Sequence, residues 1–181
     1  ISTACLGGEI PQAILKGRID VAENTAKWYQ EIFGEDFYLE IQDHGSIEDR
    51  VANIEIIRIG EKYGIKIIAT NDAHYISNKD VGAHDALLCV LTGKLISDQK
   101  RLRYTGTEYI KGEEEMLNLF RDHIDMEIIR DAINNTTEIS NKVEIFELFG
   151  EYRMPKYPLL ENKKAIDFLK EVSEDGLKKR L

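Results

Sequence analysis

The feature of this sequence that most constrains its fold is a strand, a helix and a strand in direct succession. Residues 36–42 form a short aromatic and aliphatic run closed by a turn, which is typical of a buried strand. Apolar residues then recur at helical spacing over 48–63, and Gly64 ends that run. A second apolar stretch, 65–70, follows at once. Short loops between these elements predict a βαβ unit with two parallel strands, so we expect an α/β fold.

Helices dominate the rest of the chain. Spacings of three and four predict two helices before the first strand, with a break near Gly17. Two prolines predict an extended connector over 146–160. We place a soft domain boundary near residue 100, which divides an α/β part, 1–100, from a helical part, 101–181. The apolar spacing predicts the further helices at 80–91, 113–120, 126–143 and 164–180.

Charge and composition disfavour two classes of protein. The chain has 24 basic and 33 acidic side chains and a formal net charge of -9, which argues against a protein whose main task is to neutralise nucleic-acid phosphates. Its apolar stretches fall short of the roughly 20 residues that span a bilayer, and its first residues do not resemble a secretory signal. We therefore expect a cytoplasmic protein. Because residue 1 is an isoleucine in what reads as a strand end, we also expect a piece of a longer chain.

The strongest candidate for chemistry follows the second predicted strand, in Asn71-Asp72-Ala73-His74. Parallel α/β sheets bind ligands at the carboxyl ends of their strands. Since residues two apart in an extended segment point the same way, Asp72 and His74 would project a carboxylate and an imidazole to one side. That pair suits Zn, Mn or Fe. The alternative is that Asp72 caps the next turn and His74 is an ordinary surface histidine.

Other strand ends offer weaker candidates. Glu40, Gln42 and His44 alternate along the first strand and would share one side, although a polar strand end with one buried carboxylate would show the same pattern. Cys5 would reach the same edge if the first residues form another strand, but a lone cysteine is often a packing residue. Asn71 could line the site beside Asp72.

Basic residues concentrate in a polar stretch at 92–105, which contains Lys94, Lys100, Arg101 and Arg103. They could contact nucleic acid, but a charged connector is more often only solvated. The sequence has no phosphate-binding loop and neither a Gly-x-Ser-x-Gly nor a Cys-x-x-Cys motif.

Several sequence blocks occur together in the order that one known family shows. They are ACLGGEIP at 4–11, YLEIQDHG at 38–45, ATNDAHY at 69–75, AHDALL at 83–88, EEEM at 113–116, AINNTTEI at 132–139 and PKYP at 155–158. On these residues the sequence resembles the family C bacterial replicative DNA polymerases, the DNA polymerase III alpha subunits. The resemblance covers nearly the whole chain.

The resemblance implies that 1–100 is the C-terminal part of a polymerase and histidinol phosphatase (PHP) domain, a distorted β/α barrel. Residues 101–181 would be a helical connector and the start of the polymerase palm region. In that family the intact PHP domain holds metal ions, here Zn or Mn. Asp72 and His74 match the family's final Asp-x-His motif, and Cys5 is the candidate third ligand. Such a site can support a 3′-5′ exonuclease. The Mg-dependent polymerase site would lie outside this chain, so neither active site is complete within it.

The resemblance also implies partners and leaves alternatives open. The parent polymerase would act on DNA and deoxynucleotides and assemble with replicase subunits such as the proofreading subunit and the sliding clamp, with no membrane partner. Where the metal site is degenerate, the domain would instead be a non-catalytic scaffold and docking module. A stand-alone PHP phosphoesterase is a further alternative, against which the helical blocks after residue 105 count.

Overall fold

Two short parallel strands, β1 (Leu39–Ile41) and β2 (Ile67–Ala69), form the centre of the fold in the computed structural model. Helix α3 (Ile47–Tyr63) connects them along the chain. Glu40 pairs with Ile68 in the parallel register. The aliphatic side chains of β1 are completely buried, as the apolar character of this stretch predicts. The predicted βαβ order is therefore confirmed.

Local sequence signals determine both ends of α3. At its start, the Ser46 hydroxyl accepts the Asp49 N–H at 2.9 Å, and the Asp49 carboxylate accepts the Ser46 N–H at 3.3 Å. This reciprocal capping box satisfies donors that a helix N-terminus leaves free. At its end, Gly64 adopts a left-handed conformation with φ of 66°, which glycine enters at no steric cost because it has no Cβ.

The first residues add an extended segment beside β1. Ser2 forms a parallel bridge with Tyr38, and the Tyr38 N–H donates to the Ile1 carbonyl at 2.9 Å. The chain then turns sharply at Gly8, where a Cβ would lie 2.1 Å from the Thr3 carbonyl oxygen. Only glycine fits this turn. This single bridge pairs the first residues with the residue just before β1, and the expected strand end stays a prediction.

Helices account for most of the remaining described chain, and their bounds agree with the predicted ranges to within a residue or two. The break between the first two helices falls at Gly17, which has φ of 70°. Besides α3, the helices are α1 (Glu9–Leu15), α2 (Ile19–Phe33), α4 (Val81–Thr92), α5 (Glu113–Phe120), α6 (Met126–Lys142) and α7 (Ala165–Arg180), with 3-10 turns at Gly34–Asp36 and Asn78–Asp80.

Helices α5 and α6 share a core with the two strands. Phe120, Ile129 and Ala132 have no exposed surface and belong to the same apolar cluster as β1. The Asn135 amide, on α6, donates to the Ile67 carbonyl at 2.8 Å. Residues Ile1–Val143 accordingly form one compact unit. The predicted domain boundary near residue 100 stays a prediction.

The C-terminal part of the chain forms a second compact unit, Glu144–Leu181, which contains α7. The structure describes residues 1–150, 155, 157–159 and 163–180. The described residues of the predicted connector, 146–160, have no regular secondary structure, and the other connector residues lie outside the described ones. Across the described ranges, none of the helices combines the length and the apolar character that a membrane crossing requires.

These elements make a mixed α/β structure, as predicted. A parallel strand pair, an additional parallel bridge and a surrounding set of helices agree with that class. The distorted barrel that the resemblance implies stays a prediction.

Candidate functional site

The carboxyl ends of the extended segments lie at one edge of the sheet. There the Glu40 side chain forms hydrogen bonds with residues of three of these segments. Its carboxylate accepts the Ser2 hydroxyl at 2.5 Å, the Gln42 amide at 2.9 Å and the Thr70 hydroxyl. Gln42 also donates to the Thr70 hydroxyl oxygen at 2.9 Å. These bonds satisfy a part-buried carboxylate that would otherwise be costly. Glu40 and Gln42 therefore support the edge. This is the arrangement expected of a polar strand end with one hydrogen-bonded carboxylate, which is the alternative to a metal site.

Cys5 lies at the same edge. Its thiol is exposed, and it lines a small cavity together with Glu40 and Gln42. The preceding residue, Ala4, has φ of 59°, a left-handed conformation that residues with a Cβ adopt at some cost. This turn brings the thiol to the strand ends, and the role of Cys5 as a ligand stays a prediction.

Asp72 and His74 form a facing pair just beyond the end of β2. Asp72 Oδ2 lies 3.2 Å from His74 Nε2, and the two side chains are 51% and 33% exposed. Asp72 has φ of 46°, and backbone strain of this kind clusters at functional positions. The His74 N–H donates to the Glu108 carbonyl at 2.8 Å. The pair is thus accessible to a ligand and held in place by the backbone.

The segment that supports His74 is built around the buried carboxylate of Glu108. This carboxylate accepts the Thr105 N–H and hydroxyl at 3.0 and 2.8 Å, the Gly106 N–H at 3.0 Å and the Tyr75 hydroxyl at 3.1 Å. Burial disfavours the charged form, but the hydrogen bonds from Thr105 and Gly106 outweigh it and lower the pKa of Glu108 to about 2. Glu108 is therefore ionised at neutral pH and organises the loop beside His74.

Asn71 and His44, both predicted to line the site, connect the strand ends to this loop. The Asn71 amide donates to the carbonyls of Tyr109 at 2.6 Å and Thr107 at 3.2 Å. His44 Nδ1 lies 2.9 Å from the Thr107 hydroxyl oxygen. These contacts give both side chains a supporting position, and their role in lining the site stays a prediction.

Aromatic rings pack around His74, and sequence reasoning missed them. The His74 ring centroid lies 4.4 Å from that of Tyr104 and 5.6 Å from that of His84. His84 also contacts Tyr75 and Tyr104, with centroids 5.2 and 5.1 Å apart. On spacing alone, His84 reads as an ordinary residue of a helix surface, and Tyr104 lies in a polar stretch without periodicity. Only the folding of that stretch back onto α4 brings these rings together.

The four basic residues of the stretch divide into one anchored residue and three exposed ones. Arg101 donates through both terminal nitrogens to the Asp85 carboxylate, and its side chain is 2% exposed. These hydrogen bonds lower the pKa of Asp85. Lys94, Lys100 and Arg103 are exposed. The fold therefore uses Arg101 to hold the stretch against α4 and leaves Lys100 and Arg103 open to solvent.

The geometry also assembles a group that the sequence did not indicate. Asp43, Asp122 and His123 each offer a ligand atom within 4.8 Å of the others. Within the described ranges it is the one group of three or more such side chains at this spacing, so Cys5 does not join Asp72 and His74 at that distance. Sequence spacing gives no signal for this group, because Asp43 and His123 are far apart along the chain.

Comparison with known proteins gives matches to one kind of protein along nearly the whole chain. A family model described as PHP domain matches residues 1–44. The chain is 35% identical to the DNA polymerase III subunit alpha of Borreliella burgdorferi over 182 residues, 35% identical to that of Thermus aquaticus over 182 residues, and 33% identical to that of Pseudomonas fluorescens over 180 residues. These matches cover 98% to 99% of this chain, which spans about 15% of the length of these relatives. The chain is therefore homologous to one segment of the DNA polymerase III alpha subunits.

Proposed function

We propose that this chain ends the PHP domain of a DNA polymerase III alpha subunit and leads into its palm region. The match to alpha subunits along at least 98% of the chain carries the proposal. The strands would be the last part of a distorted β/α barrel. The parent would be a cytoplasmic DNA-directed DNA polymerase that transfers deoxynucleotides with Mg²⁺ at a site outside this chain. Its partners would include the proofreading subunit and the sliding clamp.

Asp72 and His74 would hold a divalent metal ion, Zn or Mn, at the PHP site. Two ligand atoms about 2.1 Å from a shared ion are about 3.0 Å apart at an octahedral angle and about 3.4 Å apart at a tetrahedral angle. The 3.2 Å between Asp72 Oδ2 and His74 Nε2 lies within that interval, and without an ion the two atoms are within hydrogen-bond distance. Cys5, at the same edge of the sheet, would supply a thiolate, and ligands beyond this chain would complete the site.

The chain's own residues would position a nucleic-acid end for 3′-5′ hydrolysis. A bound ion supplies a water of lowered pKa and stabilises the charge that develops on the phosphate. The Glu108 carbonyl holds the His74 backbone, which keeps the imidazole at the strand end. Tyr104 and His84, packed beside His74, would offer rings on which an unpaired base can stack. Exposed Arg103 would contact backbone phosphates.

A chimeric polymerase tests the proposal. The matching segment of the Thermus aquaticus alpha subunit is replaced by this chain, with and without the paired substitutions Asp72→Asn and His74→Asn. We expect both chimeras to extend a primer, and we expect the paired variant to lose at least about tenfold in Mn²⁺-dependent removal of 3′ nucleotides from single-stranded DNA. Asp20→Asn, which neutralises an exposed carboxylate on α2, is the matched control and should change neither activity.

A folded chimera that fails to extend a primer would refute the polymerase assignment. Unchanged nuclease activity in the paired variant would refute the metal-ligand role.

A non-catalytic scaffold is the second candidate function. Two observations favour it: Glu40 is satisfied by hydrogen bonds within the edge, and Cys5 does not approach Asp72 and His74 closely enough to complete a ligand set in the described structure. In the same experiment, a scaffold predicts primer extension by both chimeras and no nuclease activity that depends on Asp72 and His74.

A further inference from the structure

Two buried polar atoms face each other between the end of β1 and the turn that follows α5. Asp43 Oδ2 and His123 Nε2 are 3.6 Å apart, and the side chains are 3% and 9% exposed. Neither atom has a hydrogen-bond partner. Unpaired polar atoms at this depth are rare, because each one loses its hydration without compensation. The burial of Asp43 Oδ2 and His123 Nε2 therefore indicates a bound group or a proton between the two atoms.

The distance favours a metal ion over a hydrogen bond. An N–H···O hydrogen bond requires about 2.7–3.2 Å between the heavy atoms, so 3.6 Å is too long for one. Two ligands about 2.1 Å from a tetrahedral Zn²⁺ ion are about 3.4 Å apart, and a slightly wider angle gives the observed separation. A carboxylate oxygen and an imidazole nitrogen are both ordinary ligands of zinc.

Asp122 orients the imidazole for this role. Its Oδ1 lies 2.7 Å from His123 Nδ1, and its Oδ2 accepts Arg50 Nη2 at 2.8 Å. The hydrogen bond from His123 lowers the pKa of Asp122. A carboxylate on Nδ1 fixes the proton there, which leaves the Nε2 lone pair directed away from Asp122 and free for a metal. Metal-bound histidines commonly have such a carboxylate behind them.

The other carboxylate oxygen of Asp43 already accepts a hydrogen bond. Asp43 Oδ1 accepts the Gly45 N–H at 2.6 Å, which holds the carboxylate in the loop after β1. Its Oδ2 is thereby left facing His123. The position of both side chains is set by local structure, so an ion would meet ligands that are already in place.

We propose that Asp43 Oδ2 and His123 Nε2 bind one Zn²⁺ ion, with Asp122 as the orienting carboxylate and water completing the shell. This site is separate from the one proposed for Asp72, His74 and Cys5. It ties the loop after β1 to the turn between α5 and α6, so the ion fastens the strand end to the helical segment.

Zinc titration of the 181-residue chain tests the proposal. The background carries Cys5→Ser, Asp72→Asn and His74→Asn, so that the other predicted ligands are removed and the result does not depend on the proposed function. Calorimetry with Zn²⁺ alone should show one equivalent bound. Asp43→Asn and His123→Gln should each weaken binding by more than about tenfold, and Asp122→Ala should weaken it by about tenfold.

Asp125→Asn is the matched control, because it neutralises a carboxylate in the same turn while asparagine still caps α6. It should leave zinc affinity unchanged. Far-UV circular dichroism confirms that each variant is folded. If Asp43→Asn fails to fold, the absorption spectrum of bound Co²⁺ in the background and in His123→Gln decides. An absence of zinc binding in the background, or equal affinity and an equal Co²⁺ spectrum in the ligand variants, would overturn the proposal.

Discussion

Replacing Glu108 with glutamine should destabilise the chain by about 3 kcal/mol. In the native structure the two carboxylate oxygens accept four hydrogen bonds, two at each oxygen, from Thr105, Gly106 and Tyr75. Glutamine keeps one accepting oxygen and presents an amide N–H₂ group in place of the other. The Gly106 N–H and the Tyr75 hydroxyl then lose their acceptor. At about 1.5 kcal/mol for each hydrogen bond to a charged group, two losses give the predicted value.

Urea unfolding followed by circular dichroism measures this change in the free energy of unfolding. Glu35→Gln is the control, since Glu35 is exposed and its neutralisation should stay within about 0.5 kcal/mol. Equal stability of the Glu108→Gln and Glu35→Gln variants would refute the assignment of Glu108 as the organising group of this loop.

The pH dependence of stability provides a second readout on the same residue. The pKa of Glu108 is lowered from 4.5 to about 2 in the folded chain. A lowered carboxyl pKa means that the stabilisation is fully present above pH 4.5 and is lost as the pH falls toward 2. The Glu108→Gln variant lacks this contribution, so its stability should fall less steeply across that interval. Parallel curves for the two proteins would contradict the lowered pKa.

Three further substitutions test the packing around the site. Ser46→Ala removes one half of the capping box of α3 and should cost about 1 kcal/mol in urea unfolding; no loss would contradict the cap. Arg101→Ala leaves the Asp85 carboxylate without its partner and should lower the Tm, whereas Arg103→Ala should leave it unchanged, and equal Tm values would refute the anchoring role. Phe120→Ala empties a fully buried position and should cost about 3–5 kcal/mol, and a loss under about 1 kcal/mol would show that α5 does not share the core.

Local patterns in the sequence predicted the elements well because each rests on neighbouring residues. The alternation between strand and helix, the cap at Ser46 and the stop at Gly64 all act within a few residues of the position they define. Parallel pairing followed from the short connections between elements. The same reasoning predicts that Cys5 and Asp72 share one edge of the sheet, because parallel strands end on the same side, and this stays a prediction.

The sequence does not predict contacts between side chains whose neighbours along the chain give no signal of them. No local pattern indicates that Asp43 meets His123, because a loop after a strand and a turn between two helices become neighbours only in the folded core. The sequence favours a solvated side chain for Arg101, whereas in the folded chain Arg101 forms an ion pair with Asp85. In both cases tertiary packing decides the surroundings of a side chain whose sequence neighbours are unremarkable.

Paramagnetic broadening of amide signals by Mn²⁺ tests most directly whether the carboxyl edge of the sheet is the metal site. Broadening depends on distance from the ion and detects weak binding, so it does not require ligands from outside this chain. We predict that low Mn²⁺ concentrations broaden the signals around Cys5, Asp72 and His74 first. The paired substitutions Asp72→Asn and His74→Asn should abolish this selectivity, whereas Asp20→Asn should preserve it. Identical broadening at these positions with and without the paired substitutions would contradict the assignment.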